Sequence, residues 1–170
     1  IPKISIITSL YKGEKYIKHF LNEVTSQTIF DKCELIILDA DSPENEKQII
    51  EAFSEQYDNI IYKKLDKRLS VQETMNLGIE LSTGALLTLW NVDDTHKYNA
   101  LEVLAKSLIV DKRVDLVYAD SYQTTKENET FNNNSSKGAL YEHSRYEFSK
   151  ENMIKCLPGP MPMWKKELNN

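Results

Sequence analysis

Short apolar runs alternate along this chain with amphipathic stretches, and the two repeat lengths separate strands from helices. Residues 3–9 read as a strand through Ile4, Ile6 and Ile7, and Ile17, Phe20, Leu21 and Val24 then mark one face of a helix. Residues 33–38 form a nearly continuous apolar run, as expected of a strand covered on both faces. Ser42-Pro43-Glu44 predicts the opening of a second helix with Ile49, Ile50 and Phe53 as its buried stripe. A third strand follows at residues 59–64. Ser70-Val71-Gln72-Glu73 has the form of a capping box and starts a helix through Met75 and Ile79. Ser82-Thr83-Gly84 ends it, residues 85–90 form a fourth strand, and Ala100, Leu101, Leu104, Ala105 and Leu108 line a fourth helix. A fifth strand is expected at 114–119. This rhythm predicts an α/β fold with a mainly parallel sheet flanked by helices.

The rhythm breaks near residue 120, dividing the chain into a core over 1–120 and a different region over 121–170. Residues 124–138 are polar enough to predict a mobile loop, and sequon-like patterns at Asn128 and Asn134 read as chance. Three of the five prolines fall within Leu157-Pro158-Gly159-Pro160-Met161-Pro162, a stiff non-helical connection. The chain starts at Ile1, and residues 165–170 read as a helix cut short, so the expectation is a parent protein that continues.

Composition changes the picture only by exclusion. A net charge of −5 with no basic stripe argues against nucleic acid as a partner. No apolar run is long enough to cross a bilayer. Cys33 and Cys156 lie far apart and in no metal-ligand spacing; Cys33 reads as a small buried hydrophobe, and a reducing cytoplasm is the expected location.

In open sheets of this kind ligands bind beyond the carboxyl ends of the strands. There the sequence places Thr8-Ser9-Leu10-Tyr11, Asp39-Ala40-Asp41-Ser42, Asp66-Lys67-Arg68 and Asn91-Val92-Asp93-Asp94. Two adjacent carboxylates at a strand end either lie open to water, with Asp94 or Thr95 capping a helix, or face an oxygen-seeking divalent cation. His96 reads as a surface residue that follows the acid pair, Tyr11 as a packing aromatic or a platform, and Trp90 and Trp164 as core. Residues 63–68 are mixed in sign and read first as a solvated face. Five glycines, no Gly-x-Gly-x-x-Gly and no Gly-Lys-Ser/Thr loop argue against a dinucleotide or nucleotide triphosphate cradle of backbone amides. A phosphate here needs a metal and basic side chains.

Four segments in order, Ile4 to Tyr11, Glu34 to Ser42, Met75-Asn76-Leu77-Gly78-Ile79, and Ser82-Thr83-Gly84 leading to Asp93-Asp94, resemble the inverting family-two glycosyltransferases with the Rossmann-like GT-A fold. The resemblance implies a nucleotide-sugar-binding core over residues 1–120, and over 121–170 a polar loop and the beginning of an acceptor-side region. It implies that Thr8 and Tyr11 hold the base, that Asp39 accepts an imide N–H of uracil or thymine, and that Asp93 lies near ribose and metal. Asp94 would ligate Mn²⁺ or Mg²⁺, and Lys67 or Arg68 would touch the diphosphate. The implied reaction moves a sugar from a UDP- or dTDP-type donor to a carbohydrate or lipid-linked acceptor with inversion, as in polysaccharide biosynthesis. The general base is expected beyond Asn170, and the full protein at the inner membrane face. Ala40-Asp41 stands where many members have Asp-Gly, which leaves Asp41 as a helix cap or an extra carboxylate. A nucleotidyltransferase and a non-catalytic nucleotide-binding module are the rivals; the first lacks its glycine-rich basic loop.

Overall fold

The computed structural model describes residues 1–155 and 158–169. Cys156, Leu157 at the head of the proline-rich run, and Asn170 lie outside the described residues. One six-stranded sheet is built from β1 (Ile4–Leu10), β2 (Cys33–Asp39), β3 (Ile60–Lys64), β4 (Leu86–Leu89), β5 (Leu116–Val117) and β6 (Met163–Lys165), in the order β3-β2-β1-β4-β6-β5. The strands β1 to β4 are mutually parallel, and β6 runs antiparallel between β4 and β5. The α/β expectation is met.

Even-numbered residues of β1 (Ile4, Ile6, Leu10) and odd-numbered residues of β2 (Cys33, Leu35, Ile37) join one core cluster. That cluster includes the apolar stripes of α1 (Glu14–Thr25), α2 (Glu46–Ser54) and α4 (Ala100–Val110). The opposite face meets α3 (Val71–Leu81), which approaches so closely that a Cβ on Gly78 would stand 2.2 Å from Ile7 Cγ2. Because both faces are covered, β1 and β2 are buried almost throughout. The Cys33 thiol is buried, and that burial, with Asp31 adding to it, pushes its pKa up to about 12.

The capping box forms as expected: Glu73 N–H donates to Ser70 Oγ, and Ser70 N–H donates back to the Glu73 carboxylate. Three local expectations change. α2 starts at Glu46 rather than at Ser42-Pro43-Glu44: the Ser42 hydroxyl links the Lys12 N–H to the Glu46 carboxylate, and the Glu44 carboxylate serves another helix. Glu44 accepts the Glu14 N–H at the start of α1, at 3.0 Å. Asp41 caps nothing: it is an exposed residue at φ 60°, 3.9 Å from Lys64 Nζ. The fifth strand shrinks to two residues, and the strand beside β4 is β6, which arrives from the far end of the chain.

Residues 124–138 are fastened to the core. Glu127 accepts from Lys15 Nζ at 2.5 Å and Tyr16 Oη at 3.1 Å, Asn128 donates to the Lys15 carbonyl, and Thr95 Oγ1 donates to the Glu129 carbonyl.

Candidate active site

The parallel arrangement brings the carboxyl ends of β3, β2, β1 and β4 to one rim, in that order. At the β4 end, Asp93 is exposed and Asp94 half-buried, and Asn91 Nδ2 donates to Asp94 Oδ2 at 2.8 Å. Burial raises the Asp94 pKa; the Asn91 hydrogen bond opposes that, and the Asp93 charge adds to it. A cation in reach of both carboxylates would reverse this penalty. Neither Asp94 nor Thr95 caps a helix, since α4 begins after Asn99. The acid pair instead borders a cavity of about 830 Å³, whose other walls include Phe131, Tyr122 and Lys126 from the polar excursion.

His96 is buried, contrary to the surface reading. Its ring stacks on Trp90 at 3.6 Å between centroids and 8° between planes. Its Nδ1 lies 2.7 Å from Glu23 Oε1, the same oxygen that accepts the His96 backbone N–H at 2.8 Å. Helix α1 thus holds the residue two positions after Asp94, and the turn bearing both acids is anchored from one side.

At the β2 end the geometry differs. Asp39 is 2% exposed, with Oδ1 accepting the Ser42 N–H at 2.7 Å and Oδ2 accepting the Tyr62 hydroxyl at 2.6 Å. Burial, and then this bond to Asp39, raise the Tyr62 pKa well above its usual range. A carboxylate oxygen can accept two hydrogen bonds and each of these accepts one, so capacity for one more donor remains on each. Asp39 does not line the cavity beside Asp93 and Asp94. The three acids therefore sit on one rim but not in one hollow, and among the described residues no three His, Cys, Asp or Glu side chains are grouped to hold a metal. Two carboxylates and the Asn91 amide form a hard oxygen set that fits Mg²⁺ or Mn²⁺ only if phosphate and water complete it.

Thr8 lies on the inner face of β1. It shares the face of Ile4, Ile6 and Leu10, is fully buried, and its Oγ1 has no hydrogen-bond partner among the described residues. Ser9, on the other face of β1 and partly exposed, is the hydroxyl nearer the rim. Tyr11 is half-buried, and the Arg68 guanidinium lies over its ring at 3.5 Å from the centroid. Arg68 thus covers one face of Tyr11 in this structure, while Lys67 is exposed. Sequence reasoning missed Glu23, Glu46 and Tyr62; a signal existed for Glu46, an acid four residues before Ile50 on the buried stripe of α2.

Comparison with known proteins agrees with this architecture. The chain is 35% identical over 118 residues to Glycosyltransferase AglE of Haloferax volcanii, covering 69% of this chain and 38% of that protein. It therefore spans about two-fifths of the length of that relative. Its fold superposes on S. aureus TarS 1–349 with a TM-score of 0.76 at 19% identity, covering 98% of this chain and 48% of TarS. The mannosyltransferase PcManGT from Pyrobaculum calidifontis, solved with GDP-Man and Mn²⁺, gives a TM-score of 0.70 at 14% identity, covering 98% of this chain and 45% of that one. Among the described residues no helix is long and apolar enough to cross a membrane. The sequence profile of Glycosyl transferase family 2 matches residues 5–169, and the chain belongs to that family.

Proposed function

We propose that this chain binds the nucleotide-sugar donor of an inverting, metal-dependent glycosyl transfer, with a UDP- or dTDP-type nucleotide lying across the carboxyl rim of the sheet. The observation that carries the reading is the Asp93–Asp94 pair, anchored by Asn91 and by the buried His96–Glu23 contact at the mouth of the cavity. TarS was solved with UDP and with UDP-GlcNAc, which supports a nucleotide sugar on this fold.

In this reading Tyr11 offers its free face to the base, and Asp39 accepts the imide N–H with the capacity left beside Tyr62 and Ser42. Asp93 and Asp94 would hold the Mn²⁺ or Mg²⁺, with the diphosphate oxygens completing its shell. When bound, that cation offsets the charge that grows on the departing diphosphate. Arg68 swings from Tyr11 towards the phosphates, exchanging a cation–π contact for an ionic one. The sugar then lies in the cavity beyond the acid pair, between α4 and the polar excursion. The acceptor, a carbohydrate or lipid-linked hydroxyl, approaches from that side.

Isothermal titration of UDP, GDP and UTP with and without Mn²⁺ tests this. The expected outcome is UDP binding that needs Mn²⁺. A preference for the triphosphate favours a nucleotidyltransferase instead, and no binding of any of the three overturns the reading.

A further inference from the structure

Glu46 stands on the buried face of α2, one turn before Ile50, and both residues are 0% exposed. A core position on that stripe is ordinarily apolar, and burying a carboxylate is costly unless its oxygens are partnered. Oε1 is partnered from two sides, by the Gly13 N–H at 2.7 Å and the Ser42 hydroxyl at 2.7 Å. Among the described residues Oε2 is buried with no partner at all. A half-satisfied buried acid is a poor stabiliser, so its presence calls for another account.

Its partners supply one. Gly13 and Lys12 directly follow Tyr11, and Lys12 sits at φ 53°, a left-handed conformation that a side-chain-bearing residue holds only when its surroundings enforce it. The Lys12 N–H donates to Ser42 Oγ at 3.0 Å, the same hydroxyl that donates to Glu46. Ser42 in turn donates its own N–H to Asp39 Oδ1, and its carbonyl accepts Lys64 Nζ at 2.9 Å. One carboxylate therefore ties the turn after Tyr11 to the turn after Asp39. It stands in the first turn of α2, where the helix dipole favours negative charge.

We propose that Glu46 is a positioning residue for the base-binding side of the site, acting through Gly13, Lys12 and Ser42 to set Tyr11 against Asp39. This inference rests on the nucleotide reading above. Its test compares UDP with inorganic pyrophosphate, both titrated in Mn²⁺ against wild type, Glu46→Ala, Glu46→Gln and Ser42→Ala. Glu46→Ala is expected to weaken UDP by about tenfold, the scale of a lost hydrogen bond to a charged group, while pyrophosphate binding stays within about twofold. Glu46→Gln, whose amide oxygen still accepts the Gly13 N–H, is expected to recover most of the UDP affinity. Should Glu46→Ala fail to fold, Ser42→Ala cuts the same link without touching the buried face of α2, and the same selective loss is expected. Either variant folding and binding UDP like wild type overturns the inference, as does an equal loss of UDP and pyrophosphate. Wild type that binds neither UDP nor GDP overturns the nucleotide reading itself, and this inference with it.

Discussion

At the amino ends of β1, β2 and β4 the buried Glu34 is fully partnered. Its Oε1 accepts the Ser5 hydroxyl and the Thr83 N–H at 2.6 Å each, and its Oε2 accepts the Thr83 hydroxyl at 2.7 Å and Lys3 Nζ at 2.6 Å. Near the carboxyl ends of the same strands Asp39 is partnered on both oxygens, but two helix acids that brace the rim are left short: Glu23 of α1 and Glu46 of α2 each keep one buried oxygen without a partner among the described residues. The pKa values follow the same division. Burial pushes Glu34 up, but the hydrogen bonds from Lys3, Ser5 and Thr83 outweigh it and hold the group at about 2. Asp94 moves the other way, raised by burial and by Asp93. One end of the sheet uses its buried acid to hold strands together, and the other keeps partly satisfied acids behind the turns that carry Tyr11 and Asp94.

The sharpest way to break this contrast is Asp94→Ala. Mn²⁺-dependent UDP affinity should fall about a hundredfold, or about 3 kcal/mol, in titration calorimetry. The ligand-free melting temperature should hold or rise, because a carboxylate that burial disfavours is removed. Gly84→Ala should do the reverse. A Cβ there would lie 2.6 Å from Ser5 Oγ, 2.7 Å from Ser5 N and 2.9 Å from the Ile4 carbonyl carbon, so backbone must part. Overpacking of this kind costs about 3 kcal/mol, a loss of roughly 10 °C by calorimetry, with UDP binding at low temperature unchanged.

Glu34→Gln sharpens the same point at lower cost. Lys3 is half exposed and screened by solvent, so a loss of about 2 kcal/mol at pH 7 is expected from denaturant titration. The sign follows from a folded pKa of about 2 below the ordinary 4.5: the contribution is complete above pH 4.5 and fades as pH falls towards 2. The wild-type advantage over Glu34→Gln should therefore shrink across that window. Arg68→Ala is the mildest test. It removes the exposed cation that the donor reading turns towards the phosphates and should weaken UDP about threefold to fivefold, on the scale of an exposed ion pair, with no change in melting temperature.

Most of the frame was legible because periodicity and caps are local. The stripes of α1 and α4 and the Ser70–Glu73 capping box all formed where the sequence placed them. What was not legible depended on long-range pairing. β6 is three residues long and gains strand character only from β4 and β5, more than 40 residues earlier in the chain. The placement of Thr8 was not legible for a related reason. With apolar and hydroxyl residues on both faces of β1, the sequence did not say which parity led to the rim, and Thr8 lies under the helices while Ser9 is partly exposed. His96 gave no pattern of its own; only the folded contact between α1 and the turn after β4 shows why it is buried.

Paramagnetic broadening by Mn²⁺ tests the division of the two rims most directly. In amide NMR spectra of the chain with UDP, Mn²⁺ should erase signals from Asn91 to Thr95 and weaken that of Tyr11, while Glu34, Thr83 and Gly84 keep theirs. Broadening centred on the Glu34 side of the sheet, or none that depends on UDP, would contradict the account.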